Sequence, residues 1–215
     1  MAINATNSGV KRELIPAGNY VGRCYSMIHI GTNKENILGA EKILNKVRVS
    51  WELPTEMRVF NEEKGEQAMS ISKEYTLSMH EKSNLRKDLE SWRGKGFTEE
   101  EAKEFDITKL LGISCMLNVI HKKSSQGADY HTISNISSIP KGMECPAQIN
   151  DSFEFNFEDN FDVSIVEAFP DFIKDKIKSS DEYKSKMNPE SSEDMMENEH
   201  GEINSNEPII DDLPF

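Results

Sequence analysis

Residues 46–53 read Lys46-Val47-Arg48-Val49-Ser50-Trp51-Glu52-Leu53, with an apolar side chain at every second position. Successive side chains of a β-strand point to opposite faces of the sheet, so this alternation predicts a strand with one buried and one solvated face. We expect Pro54 to end the strand, because proline has no N–H to donate to a neighbouring strand. Residues 70–80 alternate in the same way and predict a second strand of the same kind.

A further strand is predicted before this pair, at residues 20–30, where aromatic, β-branched and polar residues are mixed. Gly22 lies within it and indicates a bulge or a sharp bend of the kind that curls a small barrel. Residues 31–36 have the composition of a loop. We therefore expect the first part of the chain to form three antiparallel strands.

The spacing of apolar residues changes to that of helices after residue 80. Ser83 is a suitable N-cap, the apolar residues that follow it share one helical face, and Gly94 is suited to end the helix. Thr98 and Glu101 form a capping box that begins a second, short helix. Two more strands are predicted at residues 113–121 and 130–139.

Three strands, a helical insertion and two further strands follow the order of the OB fold, a five-stranded barrel with a helix between its third and fourth strands. We therefore predict a mainly β protein with an OB-fold barrel at residues 11–142. A five-stranded sheet of another topology, covered by helices, would give the same pattern.

The remainder of the chain divides into two parts. Residues 143–187 predict a helical extension packed on the barrel, with a helix that opens at Pro170 and buries Phe172, Ile173 and Ile177. Residues 188–215 contain nine acids and neither lysine nor arginine, a composition that predicts a disordered acidic tail.

The net charge of −13 is unevenly distributed along the 215 residues. Residues 1–142 carry 20 Lys and Arg against 18 Asp and Glu, a net of +2, so the acidic excess lies in the later residues. A weakly basic body with an anionic arm is compatible with binding a polyanion. No apolar run reaches the roughly 18 residues that a membrane span needs, and the N-terminus does not resemble a secretory signal, so we expect a cytoplasmic protein without membrane contact.

The residue types that catalysis and metal binding require do not occur in a recognisable pattern. Cys24, Cys115 and Cys145 are odd in number and far apart, and the five histidines form no His-Glu-x-x-His array. Glycine-rich phosphate-binding loops and nucleophile motifs are also missing from the sequence. The sequence therefore predicts a protein that is not an enzyme and needs neither a cofactor nor a metal.

The chain ends in Ile209-Ile210-Asp211-Asp212-Leu213-Pro214-Phe215. A terminal aromatic ring with a free carboxylate and two preceding acids is suited to dock in an apolar pocket with a basic rim. This end resembles the acidic terminus of bacterial single-stranded DNA-binding proteins, with one aspartate fewer than their commonest version. The resemblance implies that Asp211, Asp212, Leu213, Pro214 and Phe215 recruit replication and recombination proteins. A frayed terminus is the alternative.

The body resembles a family of bacteriophage single-stranded DNA-binding proteins. The similarity covers most of residues 11–186, and its most specific part is Glu81-Lys82-Ser83-Asn84-Leu85-Arg86-Lys87-Asp88-Leu89-Glu90-Ser91-Trp92-Arg93-Gly94. Shorter matches lie at residues 15–20, 97–101, 110–112 and 169–173. The resemblance implies sequence-nonspecific binding of single-stranded DNA during phage replication and recombination, in the host cell cytoplasm.

A groove for single-stranded DNA needs cations along the phosphates and flat side chains under the bases. Trp51 and Tyr75 fall on the apolar faces of their strands and are predicted to be core. The candidates for contact with the nucleic acid are Arg23, Tyr25, Lys46, Arg48, Arg58, Phe60, Lys73 and Lys122.

Three alternatives remain open from the sequence. The cations on the strands are equally compatible with an ordinary solvated face. The protein is alternatively an adaptor that binds proteins and not DNA, or a recombination protein that anneals complementary strands. Assembly into a homo-oligomer is compatible with each of these.

Overall fold

The computed structural model describes residues 14–37, 39–63 and 65–188. The protein is mainly β, with one curled antiparallel sheet and short helices. The strands are β1 (Gly18–Ile37), β2 (Ala40–Asn61), β3 (Gly65–Thr76), β4 (Ser114–Lys123), β5 (Asp129–Ser137) and β6 (Phe153–Phe155). The helices are α1 (Asn84–Arg93), α2 (Glu99–Lys103), α3 (Val163–Ala168), α4 (Asp171–Ser179) and α5 (Asp181–Met187), with a 3₁₀ turn at Ile107–Leu110.

The sheet has the strand order β3-β2-β1-β4-β5, and every neighbouring pair in this order is antiparallel. β3 and β5, at the two ends of this order, also contact each other, so the sheet curls round on itself. The predicted helical insertion between the third and fourth strands is present as α1, α2 and the 3₁₀ turn. The short strand β6 was not predicted, and it pairs in parallel with β1 at residues 26–28.

The curl depends on β1, which changes partner in its middle. Arg23 pairs with Glu52 of β2 and with Ser114 of β4. The neighbouring Gly22 lies so close to β4 that an added Cβ would come within 2.7 Å of Leu117 Cδ1. The predicted irregularity is present, but the ladder shifts register after Cys24 rather than at Gly22 itself, and this shift leaves residue 25 bulged.

Three of the predicted strands have wrong boundaries. β3 runs from Gly65 to Thr76 and not over residues 70–80. β2 does not end at Pro54 but continues to Asn61, because residues 54–56 lie in an irregularity between the Leu53–Met69 and Met57–Ala68 pairs, where proline need not donate to the ladder. Residues 31–36 are not a loop. They continue β1, and their polar side chains are tolerated because this part of the hairpin pairs with β2 alone.

The core fills the inside of the curled sheet. The apolar face of residues 46–53 is buried as predicted, and it packs against the apolar face of α1. Trp51 and Trp92 contribute the largest rings, with centroids 5.8 Å apart, and both are buried. Burial of one aliphatic side chain of this layer, such as Val49 or Leu89, stabilises a fold by about 1.5–3 kcal/mol, so the layer fixes α1 against the sheet.

A buried arginine organises the helical insertion. The Arg86 guanidinium donates to the carboxylates of Glu90 and Glu99 and to the carbonyl oxygens of Met79 and Phe97, at 3.0–3.1 Å. These acceptors belong to α1, to the start of α2 and to the segments that precede each helix. Arg86 therefore links α1 and α2 to each other and to the segment that follows β3.

Residues 143–187 lie on the outer face of the sheet. A second apolar cluster joins Ile28 of β1 to this segment and consists of Ile28, Phe155, Phe157, Val166, Ile173 and Ile177. The burial of Ile173 and Ile177 agrees with the prediction. The N-terminal part of the segment, residues 143–150, is extended and contains neither helix nor strand.

Two neighbouring charges of opposite sign hold this extended segment. Arg23 donates to the carbonyl oxygens of Gly112 (2.6 Å) and Pro146 (2.9 Å). The fully buried Glu52 carboxylate accepts from the backbone N–H groups of Ile149 and Asn150, both at 2.8 Å. Arg23 and Glu52 are cross-strand partners, but each binds the main chain of the segment rather than the other side chain.

The end of the segment is held by a second carboxylate. Glu182 of α5 accepts from the Thr32 backbone N–H at 2.6 Å and from the Thr32 hydroxyl at 2.7 Å. Gly31 makes this approach possible, because its φ is +89° and an added Cβ would lie 2.7 Å from a Glu182 carboxylate oxygen. Burial is the largest influence on the pKa of Glu182 and raises it, but the hydrogen bonds from Thr32 and from the Glu182 backbone, with the charge of His29, together bring the pKa below its usual value.

The predicted acidic tail falls almost wholly outside the described residues. So do all five residues of the predicted partner-binding tip, Asp211, Asp212, Leu213, Pro214 and Phe215. Among the described residues, the helices are all too short and too polar to cross a membrane.

Candidate nucleic-acid interface

Lys46 and Arg48 lie on the outer face of β2, as the alternation predicts. Arg48 is the centre of a row across three strands, with Ile28 of β1 on one side and Glu74 of β3 on the other. The Arg48 guanidinium donates to the Glu74 carboxylate at 3.2 Å. The predicted cationic face therefore carries an acid directly opposite its arginine.

Helix α4 crosses this row. Ile173 and Ile177 pack in the same cluster as Ile28, the Phe172 ring lies 5.2 Å from the Arg48 guanidinium carbon, and Lys176 Nζ lies 2.7 Å from the Glu74 carboxylate. The outer face of β2 and β3 is therefore covered at Arg48 by the extension. The prediction that Phe172 is buried is wrong, since 53 % of this residue is exposed.

The other two lysines predicted on the strands are ion-paired. Lys46 Nζ contacts the Glu35 carboxylate at 2.5 Å, and Lys73 Nζ contacts the Asp88 carboxylate at 2.6 Å. Asp88 also accepts from the Tyr75 hydroxyl at 2.8 Å, and burial followed by the charge of Asp88 raises the Tyr75 pKa. A phosphate that binds either lysine must exchange with a carboxylate already present.

Lys46 and Lys73 nevertheless line one groove of about 510 Å³. His80 and Lys82, both exposed, lie on its other wall, where the chain turns into α1. The first turn of α1 contains no acid, so the positive end of its dipole is not compensated there. His80 and Lys82 were missed by sequence reasoning, although their position just before the N-cap Ser83 was a usable signal.

The remaining candidates lie at hairpin ends or inside the sheet. Phe60 is 62 % exposed near the end of β2, and Arg58 on the same strand is half-buried and has its own polar contacts. Lys122 pairs across the β4–β5 ladder with the exposed Tyr130, and Lys122 has no ion pair with any residue from 14 to 188 that the structure describes.

Tyr25 and Arg23 are not part of the groove formed by Lys46 and Lys73. Tyr25 is half-buried in the β1 bulge. Arg23 is occupied by carbonyl oxygens, as described above. The structure thus brings together Lys46 and Lys73, sets Arg48 beside them under α4, and leaves Arg23, Tyr25, Arg58, Phe60 and Lys122 elsewhere.

A second and larger cleft, of about 1010 Å³, has the opposite charge. Met27, Val47 and Phe155 are among its apolar lining residues. Its carboxylates come from the 3₁₀ turn, the β6 region and α5, and they are Asp106, Glu154, Glu158, Asp159, Asp181 and Glu182. This cleft repels a polyanion and leaves the groove at α1 as the better candidate for phosphate.

Metal and thiol chemistry find no support in the described part of the chain. No group of three or more His, Cys, Asp or Glu side chains lies together there in a way that could hold a metal ion. Burial raises the pKa of the Cys24 thiol to about 12 and that of Cys115 well above its usual value, so both are unreactive, protonated core residues.

The chain matches no protein-family model and no curated protein.

Proposed function

We propose that this protein binds single-stranded DNA without sequence specificity, through an OB-type barrel, in phage DNA replication and recombination. The observation that carries the proposal is the strand order β3-β2-β1-β4-β5 with β3 against β5 and a helix between β3 and β4. In an OB barrel the first strand pairs with the second and the fourth, and the third strand meets the fifth. Barrels of this kind bind oligonucleotides.

The groove at the start of α1 is the proposed phosphate path. Lys46, Lys73 and Lys82 provide three cations along it, and the N-terminus of α1 adds a favourable dipole. Binding exchanges Glu35 and Asp88 for phosphate, so the affinity gained per lysine is smaller than for a free cation. With about three phosphates neutralised, affinity falls roughly 20-fold between about 50 and 200 mM salt.

The test is a titration with fluorescently labelled oligo(dT) of about 30 nucleotides, longer than the ~4–16 nucleotides that one OB fold covers. We expect micromolar or tighter binding at low salt, weaker binding to duplex DNA, and the salt dependence given above. Lys82→Glu should weaken binding, whereas Lys141→Glu, an exposed lysine outside the groove, should not. Absence of binding by the unaltered protein at low salt would refute the proposal.

The tip at residues 211–215 is proposed to recruit replication and recombination proteins. Deletion of residues 188–215 should leave affinity for oligo(dT) equal or modestly higher, because a competing anion is removed. The same deletion should abolish capture of partner proteins by the immobilised chain. A large loss of DNA affinity would contradict this assignment.

An adaptor function is the second candidate, and the acidic cleft is the observation that favours it. A cleft with an apolar floor and six carboxylates is suited to a cationic segment of another protein. This alternative predicts indifference to oligo(dT) at low salt together with capture of a partner, which is the opposite of the result expected above.

A further inference from the structure

Phe172 is an exposed aromatic ring on a rigid support. It lies in the first turn of α4, and the guanidinium carbon of Arg48 lies 5.2 Å from its ring centroid. The ring is 53 % exposed, although its neighbours Ile173 and Ile177 are buried. One side of the ring is therefore in contact with the protein while much of the rest is open to solvent.

Three side chains, Arg48, Glu74 and Lys176, fix this ring in place. Arg48 beneath the ring donates to Glu74, and Glu74 also accepts from Lys176, which is one helical turn after Phe172. Phe172 of α4 thus contacts Arg48 of β2, Arg48 contacts Glu74 of β3, and Glu74 contacts Lys176, again of α4. A side chain held in this way loses little freedom when a ligand binds, which is what a preorganised site requires.

The cations beside the ring are already ion-paired. The Asp171 carboxylate lies 3.0 Å from Lys174 Nζ, and Glu74 is shared by Arg48 and Lys176. The position therefore favours a neutral, flat group over a phosphate. In OB folds the face of the second and third strands is where oligonucleotides lie, and here α4 covers that face and presents Phe172 above it.

We infer that Phe172 is a stacking platform for an unpaired base of single-stranded nucleic acid, supplied by the extension in place of an aromatic residue on the sheet. The inference rests on the proposed function and adds to it a contact residue outside the barrel. Base stacking on an aromatic side chain is sequence-tolerant, because every base has a flat face.

The test compares Phe172→Leu and Phe172→Trp with the unaltered protein. Phe172→Leu should weaken binding to oligo(dT) by roughly 5- to 150-fold, which is the ~1–3 kcal/mol of one base stack. Phe172→Trp should retain affinity, and its emission should be quenched by oligo(dT). Both native tryptophans are buried, so the quenching would report the new site. Phe153→Leu, which removes a ring that contacts Phe169, is the matched control and should leave affinity unchanged.

The outcomes separate the two proposals. If the unaltered protein binds oligo(dT) but Phe172→Leu binds within about twofold of it, the stacking inference is overturned and the proposed function stands. An unquenched Phe172→Trp variant that binds normally overturns it as well. If the unaltered protein binds no oligonucleotide, both proposals fail together.

Discussion

Removal of the Glu52 carboxylate is the sharpest test of how the extension is attached. This group is fully buried on β2 and accepts three hydrogen bonds: 2.8 Å from Ile149 N–H, 2.8 Å from Asn150 N–H and 2.6 Å from the Asn150 side-chain amide. Glu52→Ala leaves these donors without the buried carboxylate that accepts from them. The nearby Arg23 guanidinium then has no carboxylate on the strand beside it.

The expected cost follows from these contacts. A hydrogen bond to a charged group contributes about 1.5–3 kcal/mol, but bonds to one carboxylate are not additive. Leaving a buried donor unsatisfied costs about 1–3 kcal/mol for each group. We therefore expect Glu52→Ala to lower the free energy of unfolding by about 3–5 kcal/mol, equivalent to about 6–20 °C in Tm for a chain of this size.

Urea unfolding measures the change in the free energy of unfolding, and amide hydrogen exchange measures the loss of protection at single residues. The amides of Ile149 and Asn150 should lose protection in Glu52→Ala, since they are the donors that lose their acceptor. Glu66→Ala is the control, because Glu66 is exposed on β3 and surface changes cost within about 0.5 kcal/mol. Unchanged protection at Ile149 and Asn150 would refute this account of the extension's attachment.

Three further predictions concern other parts of the fold. The pKa of Glu182 is lowered in the folded state, so ionised Glu182 stabilises the fold above pH 4.5, its ordinary pKa, and this stabilisation is lost as the pH falls. Hydrogen-exchange protection of the Thr32 amide should therefore drop in acid. In Glu182→Gln this protection should no longer depend on pH in that range. Arg86→Met should lower the urea midpoint of unfolding, because it leaves the Glu90 carboxylate and the Phe97 carbonyl oxygen without their donor. An unchanged midpoint would contradict the role assigned to this residue. A thiol reagent at neutral pH should label the partly exposed Cys145 before Cys24, because burial raises the pKa of the Cys24 thiol to about 12. Peptide mass spectrometry measures the order of labelling, and labelling of Cys24 first would show that the core is open.

The alternation at residues 46–53 was sufficient to predict this part of β2 as a strand and to identify its buried face. It could not predict that the strand continues past Pro54, because the irregularity at residues 54–56 depends on how β3 pairs beyond it. The three-residue strand β6 was missed for a related reason. Three residues carry too little pattern, and their pairing depends on a partner more than 100 residues away.

The candidate interface was predicted less well than the fold. Lys46 and Lys73 were identified as cations, but Glu35 and Asp88 lie 11 and 15 residues away and become their partners only through the folded arrangement. Helical periodicity assigned Phe172 to the buried face. In the structure, two neighbouring residues of α4 contact the sheet differently. Ile173 packs in the apolar cluster with Ile28, whereas Phe172 lies against the guanidinium of Arg48.

The Thr32–Glu182 contact has a mechanical consequence. α5 is the last described element before residue 188, so a protein that pulls on the following residues applies its tension to α5 first. The two hydrogen bonds from Thr32 to Glu182 resist that tension before it reaches α4 and the Phe172 ring. Force on the chain end is thereby borne first by the contact between α5 and the β1 hairpin, before it reaches the rest of the extension and the outer face of the sheet.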